Sequence, residues 1–180
     1  MRERKLNRLS GYDYSTPGYY FVTICIKYIE CLFGEIVNDK MELNEMGKIV
    51  EKCWMDLPNH YMNIELDEFV IMPNHFHGII RIVWNGFKPF HTMPTKKLHG
   101  LPEIIRGFKT FSSRRINETK PILKFQWHKS YHDRIIRNDR ELYRIQKYIV
   151  YNPKNWNRDK ENQSSYRNCK ERFETVPYVG

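Results

Sequence analysis

No stretch of this 180-residue sequence is long and apolar enough to span a bilayer. The segment Met1 to Arg8 is basic but lacks the apolar run of a secretory signal. Membrane-spanning and exported classes are therefore not expected, and a soluble, cytoplasmic, prokaryotic protein acting at the nucleoid is. Cysteine is equally uninformative as a framework. Cys25, Cys31, Cys53 and Cys169 show no Cys-x-x-Cys spacing, which argues against a thiolate zinc site and supplies no set of disulfides. Reduced thiols are the expectation, and the fold must rest on packing alone. A chain of this length manages that as one domain, burying roughly 70% of the surface its unfolded form exposes.

What the sequence has in excess is positive charge and aromatic rings. The net charge is +9, with 12 tyrosines, 10 phenylalanines and 4 tryptophans. Cations for phosphates and flat faces for unstacked bases favour a nucleic-acid partner, although the same bias suits an acidic membrane or an acidic protein.

Hydrophobic periodicity divides the chain into alternating strands and helices. Tyr19 to Lys27 reads as a strand after the turn signal Ser15-Thr-Pro-Gly18, with Leu32 to Val37 as its hairpin partner. Asn44 is a candidate N-cap for a helix whose apolar stripe is Met46, Ile49, Val50, Cys53, Trp54 and Leu57, and Pro58-Asn59 should end it. Strands follow around Glu65 to Met72 and His75 to Val83, joined at Pro73-Asn74. Residues 84–100 read as a long irregular loop, a candidate place for sequence choice. A second helix starts at Pro102 and buries Ile104, Ile105, Phe108 and Phe111; Phe125 to Tyr131 reads as a strand; Asp139 begins a third helix. This order predicts an α+β, ferredoxin-like (RRM-like) antiparallel sheet with helices packed on one face.

Two places carry chemistry. In Phe69-Val-Ile-Met-Pro-Asn-His75-Phe-His77-Gly-Ile-Ile-Arg-Ile-Val83, a strand places His75 and His77 on one face and Phe76 on the other. Two such imidazoles can chelate one divalent ion or simply line a hydrated face. In the third helix, Leu142, Ile145 and Ile149 form the apolar stripe, with Tyr148 and Asn152 close to it one turn apart, while Tyr151 points away. An inward-facing Asn152 must find a hydrogen bond or a cation, and Pro153 tends to end the helix beside it. Arg106, Lys109, Arg114 and Arg115 give the second helix a basic outer side. With Arg2, Arg4, Lys5 and Arg8 they are candidate contacts to a phosphate backbone, or a solvated surface.

Three blocks in this order, Pro73-Asn-His75-Phe-His77-Gly, then Trp127-His-Lys-Ser-Tyr-His-Asp133-Arg-Ile-Ile-Arg137, then Tyr148-Ile-Val-Tyr-Asn152-Pro-Lys-Asn-Trp156, resemble the single-tyrosine HUH transposases. They resemble in particular the REP-associated tyrosine transposases, which act on repetitive extragenic palindromes. The likeness covers roughly Tyr12 to Trp156. It implies a catalytic domain over residues 1–156 and leaves 157–180 as an extension with no motif to transfer. It further implies His75, His77 and Asn152 as ligands of a divalent ion, Mg²⁺ or Mn²⁺, and Tyr148 as the nucleophile. The implied substrate is single-stranded hairpin DNA, cut through a 5′-phosphotyrosine by a monomer or a homodimer. Insertion-sequence relatives often carry Gln where Asn152 stands, so the shorter amide demands a closer approach of helix to sheet. By donor type alone, two imidazoles and an amide suit zinc or manganese better than magnesium.

Other classes stay open on sequence. A hairpin DNA- or RNA-binding protein could use the same fold without turnover. A zinc hydrolase with water as nucleophile is disfavoured, because no Asp or Glu lies in the His-Phe-His block to act as base.

Overall fold

The computed structural model describes residues 9, 11–28, 30–83 and 99–158. Its elements are β1 (Gly18–Cys25), β2 (Gly34–Val37), β3 (Lys40–Leu43), α1 (Glu45–Met55), α2 (Leu57–His60), β4 (Ile64–Ile71), β5 (His75–Ile82), α3 (Leu101–Thr119), β6 (His132–Ile136) and α4 (Asp139–Tyr151). Four strands form one antiparallel sheet in the order β4-β5-β1-β6, and β2 pairs only with β3. The strand set is the split β-α-β arrangement expected of a ferredoxin-like fold, with β5 lying between β1 and β4.

Strand alternation gives the sheet two different faces. Tyr20, Val22 and Ile24 of β1 and Phe76, Ile80 and Ile82 of β5 point into the main core, beneath α1 and α3. Trp54 of α1 is the keystone there, with ring centroids 4.4 Å from Phe76 and 5.2 Å from Phe108. Gly78 is required beneath it: a Cβ at that position would lie 2.6 Å from the Trp54 ring. The other face carries Tyr19, Phe21, Val70, Ile79 and Ile136, packed against Leu142, Ile145 and Ile149 of α4. The helices expected on one face are thus α1 and α3, and α4 covers the opposite face.

Local signals explain most boundaries. Asn44 caps α1, its side chain accepting from the Gly47 N–H at 3.0 Å, and Asn138 caps α4 through the Glu141 N–H at 2.9 Å. Pro58 does not terminate α1 but sits in the first turn of the short α2, where a missing N–H costs nothing.

Two expectations fail, the first to a local turn and the second to tertiary packing. The partner of β2 is β3, not β1, because Asn38 and Asp39 both adopt positive φ (49° and 62°) and make a two-residue hairpin turn. The segment Phe125 to Tyr131 forms only a single bridge, Ile26 to Trp127, and the strand proper begins at His132. Its alternating aromatics, Phe125 and Trp127, are buried under α3 instead. There the Trp127 Nε1–H donates to Ser112 Oγ at 2.9 Å, and the Asn117 side chain bonds the Phe125 backbone at both N–H (2.6 Å) and C=O (3.0 Å).

Cys25 and Cys53 are free thiols. Among the described residues, no helix is long and apolar enough to cross a membrane.

Candidate active site

The site forms where α4 crosses the face of β5 that carries the histidines. Both imidazoles are buried, His75 fully and His77 at 3% exposure, with ring centroids 4.5 Å apart. Each is oriented by a hydrogen bond at Nδ1. His75 Nδ1 lies 2.7 Å from Asn74 Oδ1, an atom that can only accept, so the proton sits on Nδ1 and Nε2 carries the lone pair. His77 Nδ1 lies 2.8 Å from Thr23 Oγ1, and cross-strand register explains why: Thr23 of β1 pairs directly with His77 of β5. Phe21, two residues before Thr23 and on the same face, stacks on His77 at 5.4 Å.

Burial also fixes the charge of His75. Desolvation disfavours the imidazolium and pushes its pKa down to about 3, so the ring is a neutral ligand or acceptor throughout the physiological range.

Helix α4 brings the remaining groups. Its apolar stripe seats it on the sheet, and Gln146 Nε2 ties it to Asp67 Oδ1 of β4 at 2.8 Å. Tyr148 then leans from the edge of that stripe. Its hydroxyl is 3.3 Å from His77 Nε2 and its ring stands edge-on to Phe21, yet the residue keeps 46% of its surface exposed. A nucleophile needs this combination of an anchored hydroxyl and an open approach.

Asn152 follows one turn later at the C-cap of α4, and it is 2% exposed. Trp156, a further turn on, is buried with its ring 5.8 Å from His75. Asn152 therefore lies between two residues that touch the two histidines. Its Oδ1 is buried with no hydrogen-bond partner among the described residues. A buried carbonyl oxygen left this way costs about 1–3 kcal/mol unless something else coordinates it. Tyr151 takes no part: it is 49% exposed, and its carbonyl accepts from Asn155 Nδ2.

Two imidazoles and one amide oxygen fit a divalent cation. The fit rests on the neutral state of His75 and on the orphaned oxygen of Asn152. Among the described residues no three His, Cys, Asp or Glu side chains gather; the third donor of this group is an amide.

The basic residues of α3 are not brought to this site, because α3 packs on the opposite face of the sheet. Arg106 is exposed. Lys109 donates to the carbonyls of His128 (2.7 Å) and Lys129 (3.1 Å), Arg114 pairs with Glu118 at 3.6 Å, and Arg115 reaches Asp56 at 3.9 Å. Arg2, Arg4, Lys5 and Arg8, the loop residues 84–98 and the extension from 159 lie outside the described residues.

Sequence reasoning missed Thr23, Phe21 and the role of Asn74. Asn74 adjoins the histidines and reads as a turn residue, whereas nothing local marks Thr23, whose partner is set by strand pairing.

No family model matches the chain. An uncharacterised protein of Haemophilus influenzae is 37% identical over 169 residues, spanning 88% of this chain and 93% of its own. The solved structure of a REP-associated tyrosine transposase bound to a REP hairpin shares the fold, with a TM-score of 0.53 at 17% identity over 84% of this chain and 77% of that one.

Proposed function

This chain belongs to one family with the Haemophilus influenzae protein, and from that premise we propose that it is a transposase-type enzyme that nicks and rejoins single-stranded DNA beside a hairpin. The observation that carries the reading is the Tyr148 hydroxyl 3.3 Å from His77 Nε2, on a helix whose next turn presents a buried, unsatisfied Asn152 oxygen. The fold shared with a hairpin-bound transposase supports it.

Tyr148 attacks the phosphorus of a phosphodiester. The bond from tyrosine oxygen to phosphorus forms as the bond from phosphorus to the 3′ oxygen breaks. The products are a 5′-phosphotyrosine and a 3′ oxygen that takes up a proton as a free hydroxyl. The phosphate ester energy is retained, so attack by a 3′ hydroxyl reverses the step without ATP. A free phenol titrates near 10 and is a weak nucleophile at neutral pH. His77 Nε2 is placed to accept its proton; when that one lone pair serves as a ligand instead, the proton leaves to solvent through the exposed side of Tyr148. His75, His77 and Asn152 are the residues that would hold a divalent ion, Mg²⁺ or Mn²⁺. Bound there, such an ion supplies Lewis-acid neutralisation of a non-bridging phosphate oxygen.

The test is incubation with hairpin DNA bearing a single-stranded flank and Mn²⁺ or Mg²⁺, followed by a denaturing gel. A covalent protein–DNA band should appear for the wild type and vanish for Tyr148→Phe, with DNA binding retained. An adduct in that variant, or none in the wild type with either ion, overturns the reading.

A further inference from the structure

The outward face of α4 remains unused by this chemistry, and it is chemically distinctive. Around the helix axis from Tyr148, at 100° per residue, Arg144, Tyr151, Arg140, Lys147 and Tyr143 follow at about 40°, 60°, 80°, 100° and 140° on the side away from the sheet. All of them are exposed, Tyr143 at 60% and Tyr151 at 49%. The Lys147 ammonium lies 5.3 Å from the Tyr143 ring centroid and 5.8 Å from that of Tyr151, so it braces the two rings one turn to either side. Arg140, Arg144 and Lys147 have no ion pair to an acid among the described residues, whereas Arg114 and Arg115 of α3 pair with Glu118 and Asp56.

We infer that this face is a track for single-stranded DNA, which leads the strand away from the phosphate at Tyr148 with bases on Tyr143 and Tyr151 and phosphates on Arg140, Arg144 and Lys147. The inference rests on the reading of Tyr148 as nucleophile only for the direction of the strand. Cations interleaved with exposed rings at helical spacing match an alternation of phosphate and unstacked base. A duplex would meet the cations but leave the rings idle, since its bases are stacked inside. An acidic polypeptide would likewise use the charge without the rings. From Tyr143 to Tyr151 the track runs about 12 Å along the axis, enough for more than one base.

Fluorescence anisotropy separates the possibilities with three labelled probes: a hairpin with a single-stranded tail, the same hairpin without it, and a blunt duplex. Tyr143→Leu/Tyr151→Leu should weaken the tailed probe by about tenfold or more and the others by less than about twofold, because stacking is worth ~1–3 kcal/mol per base. Arg140→Gln/Arg144→Gln/Lys147→Gln should flatten the log-log salt dependence for the tailed probe by about 2 units, at ~0.7 per phosphate on a single strand. The two sets change exposed side chains only, and circular dichroism checks that each variant is folded. Equal losses on tailed and tail-less probes, or no loss in either variant, overturn the track. So does polyglutamate competing as well as an oligothymidylate of equal length, which assigns the face to an acidic polypeptide. A wild type that forms no covalent adduct yet loses tail binding in the tyrosine variant would sink the proposed chemistry and leave the track standing.

Discussion

His77 works through both ring nitrogens, and each has a separable consequence. Nδ1 is held by Thr23, so Thr23→Val keeps the side-chain shape and removes the hydrogen bond that sets the ring. Outer partners of this kind are worth 10- to 100-fold in metal affinity or activity, and a loss of about that size in Mn²⁺-dependent adduct formation is expected with an unchanged melting temperature. An unaltered rate would remove Thr23 from the site. Nε2 faces Tyr148, and with His75 it is a proposed ligand. The double variant His75→Ala/His77→Ala should abolish the Mn²⁺ heat seen by titration calorimetry; persistence of that heat would place the metal elsewhere.

At the scale of elements, α4 is both lid and arm. Its apolar stripe docks on Ile79 and Ile136, while the opposite side stays polar and open. Helix α3 differs. It is wedded to the main core, and its cations divide into one tethered by carbonyls, two with carboxylate partners and one, Arg106, with an exposed side chain. The proposal that α3 grips the hairpin backbone therefore rests on Arg106 and on Arg114, whose 3.6 Å pair with Glu118 is solvent-exposed on both sides and weak. Arg106→Gln/Arg114→Gln should lower the salt slope for all hairpins alike by about 1–2 units, at roughly 0.9 per neutralised duplex phosphate. Lys109→Gln should instead cost stability, because the ammonium pins the 128–129 backbone. An unchanged slope in the double arginine variant would make this face ordinary solvated surface.

Across the whole molecule, one sheet separates a dry aromatic core from a polar site, so folding energy and chemistry depend on opposite faces of the same strands. The coupling is visible in pH. His75 titrates at about 3 in the folded chain and near 6.5 when unfolded. The unfolded state therefore binds more protons between those values, and stability rises with pH across that window and is lost as pH falls through it. From pH 7 to pH 5 the loss from this group is roughly 2 kcal/mol, to be read by urea unfolding in the presence of a chelator. His75→Gln should remove most of that slope, and an equal slope in the variant would mean that His75 is not the buried neutral group.

The sequence by itself determined the three long helices and the strands β1, β4 and β5, the cap at Asn44, the shared face of His75 and His77, and the helical spacing of Tyr148 and Asn152. Each follows from periodicity or a side chain acting within a few residues. It could not determine partners distant along the chain. The pairing of β2 with β3 follows from the local turn at Asn38-Asp39, whereas aromatic residues at 125 and 127 that fill a core rather than extend a sheet, and Thr23 beside His77, depend on register between segments far apart in sequence. The same holds for α3 and α4 lying on opposite faces: both are amphipathic and basic, and only the packing of Trp54 and Phe108 on one side and Ile149 on the other decided which of them would meet the histidines.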